Sequence, residues 1–129
     1  MNTDELAEAA REAAEGSYSP SSHFRVGAVV VSADGEIFTG ANIENAAYPV
    51  SSCAESTAIN TAVSSGVRKI ATLAVACIDA DDIEGAYPCG RCRQEMAEFD
   101  VGIVIVTAGD GSVVREHTLD ELLPHRFNL

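Results

Sequence analysis

The sequence has no tryptophan, few aromatic residues and a single lysine, Lys69, and each scarcity narrows what the protein can be. Its core must be built mainly from aliphatic side chains, and a hydrophobic content of 47% supplies enough of them. Acidic residues outnumber Lys and Arg by 20 to 8, which gives a formal net charge of −12. Such a surface repels polyanions, because nucleic-acid affinity depends on cations that neutralise phosphates. We therefore expect no nucleic-acid partner.

Long hydrophobic runs are also missing. No apolar stretch approaches the roughly 20 residues of a membrane span. The segment Met1–Glu15 is acidic and alanine-rich, without the basic start and apolar centre of a signal peptide. These absences lead us to expect no membrane partner and a soluble, cytoplasmic protein. A length of 129 residues suits one compact domain, predicted to cover residues 1–129.

Cysteine is scarce, and its positions are informative. In a reducing compartment, four cysteines with a Cys-x-x-Cys spacing favour metal or redox chemistry over disulfide bonds. Cys77 lies inside the apolar run Ile70–Ile78, so we expect it to be a small core residue. The other three cysteines remain as candidates for metal binding or redox chemistry.

Hydrophobic periodicity, turn residues and capping residues predict four helices and five strands. Alternation of helices and strands implies a mixed five-stranded sheet covered by helices on both faces, an α/β fold in the form of a three-layer α-β-α sandwich. In chain order the predicted elements are a helix capped by Thr3 and ending near Glu15, strands at Val26–Ser32 and Glu36–Asn42, a helix at Cys53–Ser65, a strand at Ile70–Ile78, a helix at Cys89–Phe99, strands at Gly102–Thr107 and Val113–Glu116, and a helix at Leu119–Leu123 capped by Thr118.

Two short motifs carry the chemistry: Cys53-Ala54-Glu55 and Pro88-Cys89-Gly90-Arg91-Cys92. Three thiolate ligands leave one zinc coordination position for water, which distinguishes a catalytic site from a closed structural one. Zinc deaminases combine such ligands with a glutamate that transfers protons without binding the metal, and Glu55 is suitably placed two residues after Cys53. Both motifs are predicted to begin helices, whose free amides and dipoles lower thiol pKa values.

The predicted reaction is hydrolytic deamination. A zinc-bound water loses its proton near neutral pH, and Glu55 is the base that accepts it. Glu55 then delivers protons to a ring nitrogen and to the exocyclic amine of an amidine-like carbon, and the amine leaves as ammonia.

Three other interpretations account for less of the sequence. A redox pair formed by Cys89 and Cys92 leaves Cys53 and Glu55 unexplained. A structural zinc site needs a fourth ligand, and the isolated histidines are expected in loops or on the surface: His23, His117 and His125. An inert zinc-binding subunit stays open, although metal binding alone would not require Glu55.

Beyond these motifs, the chain resembles the short, single-domain cytidine deaminases of the homotetrameric type. The resemblance covers most of the chain, and the Asn-Ile-Glu-Asn-Ala block is its most specific part for a nucleoside substrate. The matching stretches are Ser17–Pro20, His23–Ala28, Gly40–Tyr48, Cys53–Glu55, Pro88–Gln94 and Glu121–Pro124.

This resemblance implies a cytidine-deaminase-like fold and the deamination of cytidine and deoxycytidine to uridine and deoxyuridine in pyrimidine salvage. It also implies a homotetramer with shared active sites and one Zn²⁺ per subunit. The implied metal ligands are Cys53, Cys89 and Cys92, and Glu55 is the implied proton shuttle.

The resemblance assigns the substrate contacts as well. Asn42 and Glu44 would hydrogen-bond the ribose hydroxyls, Phe24 would pack near the nucleoside, and the backbone of Ala54 would meet the base. The remaining implied contacts are Ala46 and Tyr48, close to a substrate in a neighbouring subunit, and Phe127, which matches an aromatic residue that lies over the pyrimidine.

The charge of Glu44 agrees with a nucleoside substrate. A carboxylate accepts hydrogen bonds from hydroxyls and repels a phosphate, so an unphosphorylated ligand is favoured. A blasticidin-type aminonucleoside deaminase is the nearest rival, since it shares Cys-Gly-Arg-Cys-Arg-Gln, but the intact Asn42–Tyr48 block favours cytidine.

Two positions depart from the family pattern. Ser56 stands where many relatives have an arginine that helps to neutralise the zinc thiolates. Either Ser56 donates a weaker hydrogen bond there, or another cation such as Arg91 compensates. Ser21 stands where relatives usually have tyrosine, which predicts a looser rim of the active site.

Overall fold

The computed structural model describes residues 1–129, and its elements follow the predicted order, with bounds that differ by only one or two residues. None of the helices combines the length and the hydrophobicity that crossing a membrane requires. Short 3₁₀ turns connect some elements, at Ala14–Gly16, Tyr48–Val50 and Ile83–Ala86. The helices are α1 (Thr3–Ala13), α2 (Ala54–Ser64), α3 (Gly90–Glu98) and α4 (Leu119–Leu122), and the strands are β1 (Val26–Ser32), β2 (Ile37–Ala41), β3 (Ile70–Cys77), β4 (Ile103–Ala108) and β5 (Val114–Thr118).

The five strands form one sheet in the order β2-β1-β3-β4-β5. β3 and β4 are parallel, whereas all other neighbouring strands are antiparallel, so the predicted mixed sheet is confirmed. A parallel pair cannot be joined by a tight hairpin and needs a crossover, which α3 provides. This crossover carries the chain from the end of β3 at Cys77 to the start of α3 beside Cys89.

Two hydrophobic clusters fill the space on the two faces of the sheet. Val29 of β1 packs with Leu6 and Ala10 of α1 in the smaller cluster. Its neighbours Ala28 and Val30 point to the opposite face, into the larger cluster with residues of α2, α3 and α4. Because side chains alternate along a strand, β1 contributes to both clusters. The predicted three-layer α-β-α sandwich is therefore confirmed.

Two glycines allow the helices to approach the sheet closely. A Cβ atom at Gly27 would lie 2.1 Å from the carbonyl oxygen of Ala10 in α1. A Cβ atom at Gly40 would lie 2.4 Å from the amide nitrogen of Ala58 in α2. Any larger residue at these positions would push its helix away, so Gly27 sets the position of α1, and Gly40 sets that of α2 and of the cysteine that precedes it.

The predicted cap of the first helix was wrong by one residue. Asn2, not Thr3, caps α1: its side-chain oxygen accepts a hydrogen bond from the amide of Glu5, and the Glu5 carboxylate accepts one from the amide of Asn2. This reciprocal capping box decides the register, because a capping residue pairs with an acidic residue three positions later. Thr118 caps α4 in the same way with Glu121, as predicted.

Candidate active site

The thiols of Cys53, Cys89 and Cys92 meet where α2 and α3 begin. Cys53 and Cys89 are the residues immediately before the two helices, and Cys92 lies in the first turn of α3. All three sulfurs lie within 4.8 Å of one another, and the Sγ atoms of Cys89 and Cys92 are 3.6 Å apart. Sulfurs in a tetrahedral zinc site lie roughly 3.8 Å apart, given Zn–S bonds of about 2.3 Å. The cluster therefore fits one zinc ion and leaves a position for a further ligand.

The surroundings of Cys53 favour its thiolate form, the form that binds metal. Hydrogen bonds from the Cys92 and Cys89 thiols and the positive charge of Arg91 lower the pKa of Cys53 to about 6, against the opposing effect of partial burial. The hydrogen bond with Cys53, followed by burial, raises the pKa of Cys92. Neither Cys53 nor Cys89 caps its helix with its side chain, which leaves both sulfurs free for a cation.

Glu55 lies in the first turn of α2, beside the thiols, and only 5% of its surface is exposed. Burial raises the pKa of its carboxyl group to about 7, and the nearby Cys53 and Glu95 add to this effect. A carboxyl group whose pKa lies near neutral pH can both accept and release a proton, which is the property that general acid–base catalysis requires.

Ser56, the first departure from the family pattern, is buried next to the metal cluster. Its Oγ atom lies 3.9 Å from the Sγ of Cys92 and hydrogen-bonds the Glu95 carboxylate at 2.5 Å. Arg91 approaches the same carboxylate, with 3.6 Å between its Nε and Oε1 of Glu95. The hydroxyl proton is therefore directed to Glu95 rather than to the sulfur, and Arg91 is the cation whose charge acts on Cys53.

A cleft with a volume of about 290 Å³ opens beside Glu55. It is slightly smaller than typical ligand pockets of roughly 300–1,000 Å³. A larger cleft of about 850 Å³, lined by acidic residues such as Asp79 and Asp110, contains no thiol and none of the predicted site residues. We therefore take the smaller cleft as the candidate substrate site. The predicted residues that line it are Phe24, Asn42, Glu44, Cys53, Ala54, Glu55 and Cys89.

Three predicted substrate contacts lie outside this cleft. Tyr48 and Phe127 are largely exposed, at 74% and 68% of their surfaces, and Ala46 is exposed as well. Gln94 of α3 holds the C-terminal segment by donating a hydrogen bond to the carbonyl oxygen of Phe127. Within one chain, these three side chains do not join the residues around Glu55.

Hydrogen bonds already engage most polar atoms of Asn42. Its side-chain oxygen accepts from the amide of Val26 and from the hydroxyl of Ser17. Its side-chain nitrogen donates one hydrogen to the carbonyl oxygen of Phe24. An amide nitrogen carries two hydrogens, so one N–H remains for a ligand.

Several residues near the site were not predicted from the sequence. Cys77 is buried as expected, but it also lines the cleft, and burial raises the pKa of its thiol to about 12. Tyr87 lines the cleft just before Pro88. Position alone could have suggested Tyr87, because it precedes the second metal motif.

His117 was wrongly expected in a loop or on the surface. It lies on β5, largely covered, with its Nε2 atom 2.7 Å from the hydroxyl of Tyr87 and its ring tilted against the tyrosine ring. This contact joins a loop residue to the edge strand β5, 30 positions further along the chain, so no local sequence pattern indicates it. His23 and His125 are exposed as expected, and no histidine belongs to the thiol cluster.

The fold and the site together define a class of protein: zinc-binding deaminases built on a three-layer α-β-α sandwich. The family model for the cytidine and deoxycytidylate deaminase zinc-binding region matches residues 1–113. The chain belongs to this family, and zinc is its metal.

Individual proteins with similar sequences or structures support this family. A cytidine deaminase of Halalkalibacterium halodurans is 42% identical over 128 residues, covering 98% of this chain and 95% of that protein. The crystal structure of cytidine deaminase from Burkholderia pseudomallei superposes with a TM-score of 0.88 at 40% identity, covering 98% of this chain and all of that one. A blasticidin-S deaminase of Bacillus cereus is 31% identical, covering 95% of this chain and 90% of that protein.

Proposed function

We propose that this protein catalyses the hydrolytic deamination of cytidine and deoxycytidine to uridine and deoxyuridine, with release of ammonia. The observation that carries the proposal is buried Glu55, which lies beside a three-thiol cluster at two helix starts and lines a cleft together with Asn42 and Glu44. Relatives named cytidine deaminase match nearly the whole chain, which supports the same substrate.

In the proposed mechanism, Cys53, Cys89 and Cys92 hold zinc, one ion per subunit. Bound zinc supplies the Lewis acidity that makes a water nucleophilic near neutral pH. Glu55 accepts a proton from the water that attacks C4 and delivers it to ring nitrogen N3. Glu55 then transfers the remaining hydroxyl proton to the exocyclic amine, so that the C–N bond breaks, ammonia leaves and a C4 carbonyl remains.

The remaining cleft residues orient the nucleoside in this proposal. The free N–H of Asn42 and the carboxylate of Glu44 bind sugar hydroxyls, Phe24 packs against the nucleoside, and the backbone of Ala54 meets the base. Glu44 keeps its negative charge because hydrogen bonds from Ser22 lower its pKa below the ordinary value. A phosphate beside it would be repelled, so the nucleoside is the substrate and the nucleotide is not.

We further propose that residues 1–129 form one catalytic domain that assembles as a homotetramer with shared sites. Exposed apolar side chains near the mouth of the cleft support an interface there, since such clusters mark association surfaces: Tyr18, Ile43, Tyr48 and Val50. Ala46, Tyr48 and Phe127, which lie outside the cleft of their own chain, would reach the substrate of a neighbouring subunit. Four unpaired cysteines support a reducing compartment, the cytoplasm, and the nucleoside substrate supports a role in pyrimidine salvage.

The test measures the fall in absorbance and the release of ammonia when zinc-loaded protein is mixed with cytidine. We expect activity to vanish with chelator and to return with zinc, and Glu55→Gln to retain zinc but lose at least a thousandfold in kcat. Parallel reactions with deoxycytidine monophosphate and with blasticidin S separate the alternatives. Faster deamination of either compound than of cytidine and deoxycytidine, or activity that survives complete zinc removal, would contradict the proposal.

A further inference from the structure

The turn at Ser21 and Ser22 surrounds the carboxylate of Glu44. The amides of Ser21 and Ser22 donate to Oε1 of Glu44 at 2.9 and 3.1 Å. The Ser22 hydroxyl donates to the other oxygen, Oε2. Three donors from two consecutive residues therefore converge on one side chain that lines the cleft. This arrangement resembles the concave groups of backbone amides that bind anions.

The Ser22 hydroxyl makes a second contact with the cleft wall. While its proton points to Glu44, its oxygen accepts a hydrogen bond from the amide of Phe24 at 3.0 Å. Phe24 also lines the cleft, and its carbonyl oxygen accepts from the side chain of Asn42. The Ser22 hydroxyl thus links Glu44 directly to Phe24, and Phe24 in turn holds the side chain of Asn42 through its carbonyl oxygen.

The carboxylate of Glu44 keeps part of its hydrogen-bond capacity for a ligand. Each carboxylate oxygen accepts about two hydrogen bonds. Oε1 of Glu44 is filled by two amides, whereas Oε2 receives only the Ser22 hydroxyl. Glu44 therefore offers one remaining acceptor direction, on Oε2, and Ser22 determines how that oxygen is turned.

We propose that Ser22 is a positioning residue for substrate binding: its hydroxyl orients Oε2 of Glu44 toward one sugar hydroxyl and fixes Phe24 at the same time. This role rests on the proposed nucleoside deaminase function and deepens it. Ser22 does not touch the reacting atoms, so its contribution is to binding of the sugar and not to the proton transfers at Glu55.

Matched substitutions of Ser22 test the contribution of its hydroxyl group to substrate binding. Ser22→Ala removes it, and the pair Ser22→Thr and Ser22→Val differs in the hydroxyl at nearly constant shape. Ser21→Ala is the control, because Ser21 contributes only its backbone amide to Glu44. We expect Ser22→Ala and Ser22→Val to raise KM for cytidine about five- to twentyfold with kcat within twofold of wild type. Ser22→Thr and Ser21→Ala should stay within about twofold of wild type in both.

A substrate series tests whether the effect passes through Glu44. Cytidine, 2′-deoxycytidine and 3′-deoxycytidine are compared for wild type, Ser22→Ala, Glu44→Gln and the double variant. We expect the KM penalty of Ser22→Ala to fall below twofold on the one deoxynucleoside that lacks the hydroxyl bound by Glu44. In the double variant, the two penalties should be strongly non-additive.

The outcomes are distinguishable. Equal penalties on all three substrates, a loss confined to kcat, or wild-type kinetics of both Ser22→Ala and Ser22→Val would overturn the role of Ser22. An inactive, zinc-loaded wild-type protein would overturn the proposed function itself, and the role of Ser22 with it. Thermal unfolding of the variants is measured alongside, and the Thr–Val pair decides the question if Ser22→Ala does not fold.

Discussion

The hydroxyl of Ser56 on α2 donates a hydrogen bond to the carboxylate of Glu95 on α3, with 2.5 Å between the oxygens. This contact joins the two helices whose starts carry the thiols, directly behind Cys92. It also places a carboxylate near a cluster that is negatively charged when three thiolates bind one Zn²⁺. Arg91, which approaches the same carboxylate, supplies a charge of the opposite sign.

Removing the cation near the thiolates should weaken zinc binding. Arg91→Ala leaves the net negative zinc–thiolate cluster without its nearby positive charge, so we expect zinc affinity to fall about two- to fivefold. The effect is modest because the Arg91 side chain is 63% exposed and is therefore screened by solvent and salt. Competition with a chromophoric chelator at low and high ionic strength measures it, and the difference from wild type should shrink in high salt.

Removing the negative charge of Glu95 should affect zinc affinity in the opposite direction to removing the positive charge of Arg91. Glu95→Gln keeps a hydrogen-bond acceptor for Ser56 but deletes the negative charge, so zinc affinity should rise slightly or stay level. Glu98→Gln is the matched control, since Glu98 is an exposed residue on the same helix. Weaker zinc binding by Glu95→Gln than by Glu98→Gln would mean that the geometry held by Glu95 matters more than its charge.

Substitution of single cysteines should distinguish the three metal ligands from Cys77, which binds no metal. We expect Cys89→Ser to reduce zinc content from about one ion per chain to a small fraction, because three protein ligands are the minimum for a catalytic site. Cys77→Ala should retain full zinc content, since Cys77 lies outside the three-thiol cluster. Elemental analysis after dialysis checks both variants, and equal zinc loss in both would contradict the assigned ligand set.

The packing of α2 against the sheet should be sensitive to substitution of Gly40. The Cβ of Gly40→Ala would meet backbone atoms of α2, so we expect a loss of about 1–3 kcal/mol in the free energy of unfolding. Gly16→Ala is the control, because the nearest atom to its Cβ would be 3.9 Å away, at ordinary contact distance. Chemical denaturation of the zinc-loaded proteins compares the two, and equal stability would show that α2 can shift without cost.

Much of the fold follows from local sequence signals. The strand bounds of β1 match the prediction, and the Asp34-Gly35 hairpin forms as expected, because apolar runs and turn chemistry act over a few neighbours. The thiol cluster was predictable for the same reason, since both motifs begin helices. The position of β1 between β2 and β3 depends on pairing between distant segments and could not be read locally.

The parts that the sequence did not predict are contacts between two loops, and between a loop and the edge strand β5. Ser22 and Glu44 are 22 residues apart, and Tyr87 and His117 are 30 residues apart. Their partners are selected by how the chain folds back, not by spacing. The Asn2 cap is different, because both Asn2 and Thr3 can cap a helix, and the capping-box spacing of Asn2 and Glu5 already distinguishes the two in the sequence.

Acid should weaken one ion pair that joins the start of β1 to the loop after β3. Asp79 accepts hydrogen bonds from the amide, Nε and terminal nitrogen of Arg25, and these lower the pKa of Asp79 to about 2. A carboxyl group with a lowered folded-state pKa stabilises the fold above its unfolded pKa of about 3.9. That stabilisation is lost as the pH falls from about 4 to about 2.

Asp79→Asn should therefore lower stability at pH 6 by no more than about 1 kcal/mol, as expected for a partly exposed pair. Asp81→Asn is the control, because it removes the same charge from the same loop without breaking a hydrogen bond. Denaturation of both variants at pH 6 and pH 2.5 gives the comparison. The gap between them should narrow at the lower pH, where Asp79 is partly protonated, and a gap that widens there would have the wrong sign for this pair.

Two groups of residues that line the cleft are held in place by different kinds of structure. Helix starts anchored in the larger hydrophobic cluster hold the metal, whereas side chains that cross-link two surface loops hold Asn42 and Glu44. Mild heat or low urea should consequently loosen sugar recognition first and leave the ion in place. Partial unfolding would then give a population of molecules that still bind zinc but no longer bind the nucleoside.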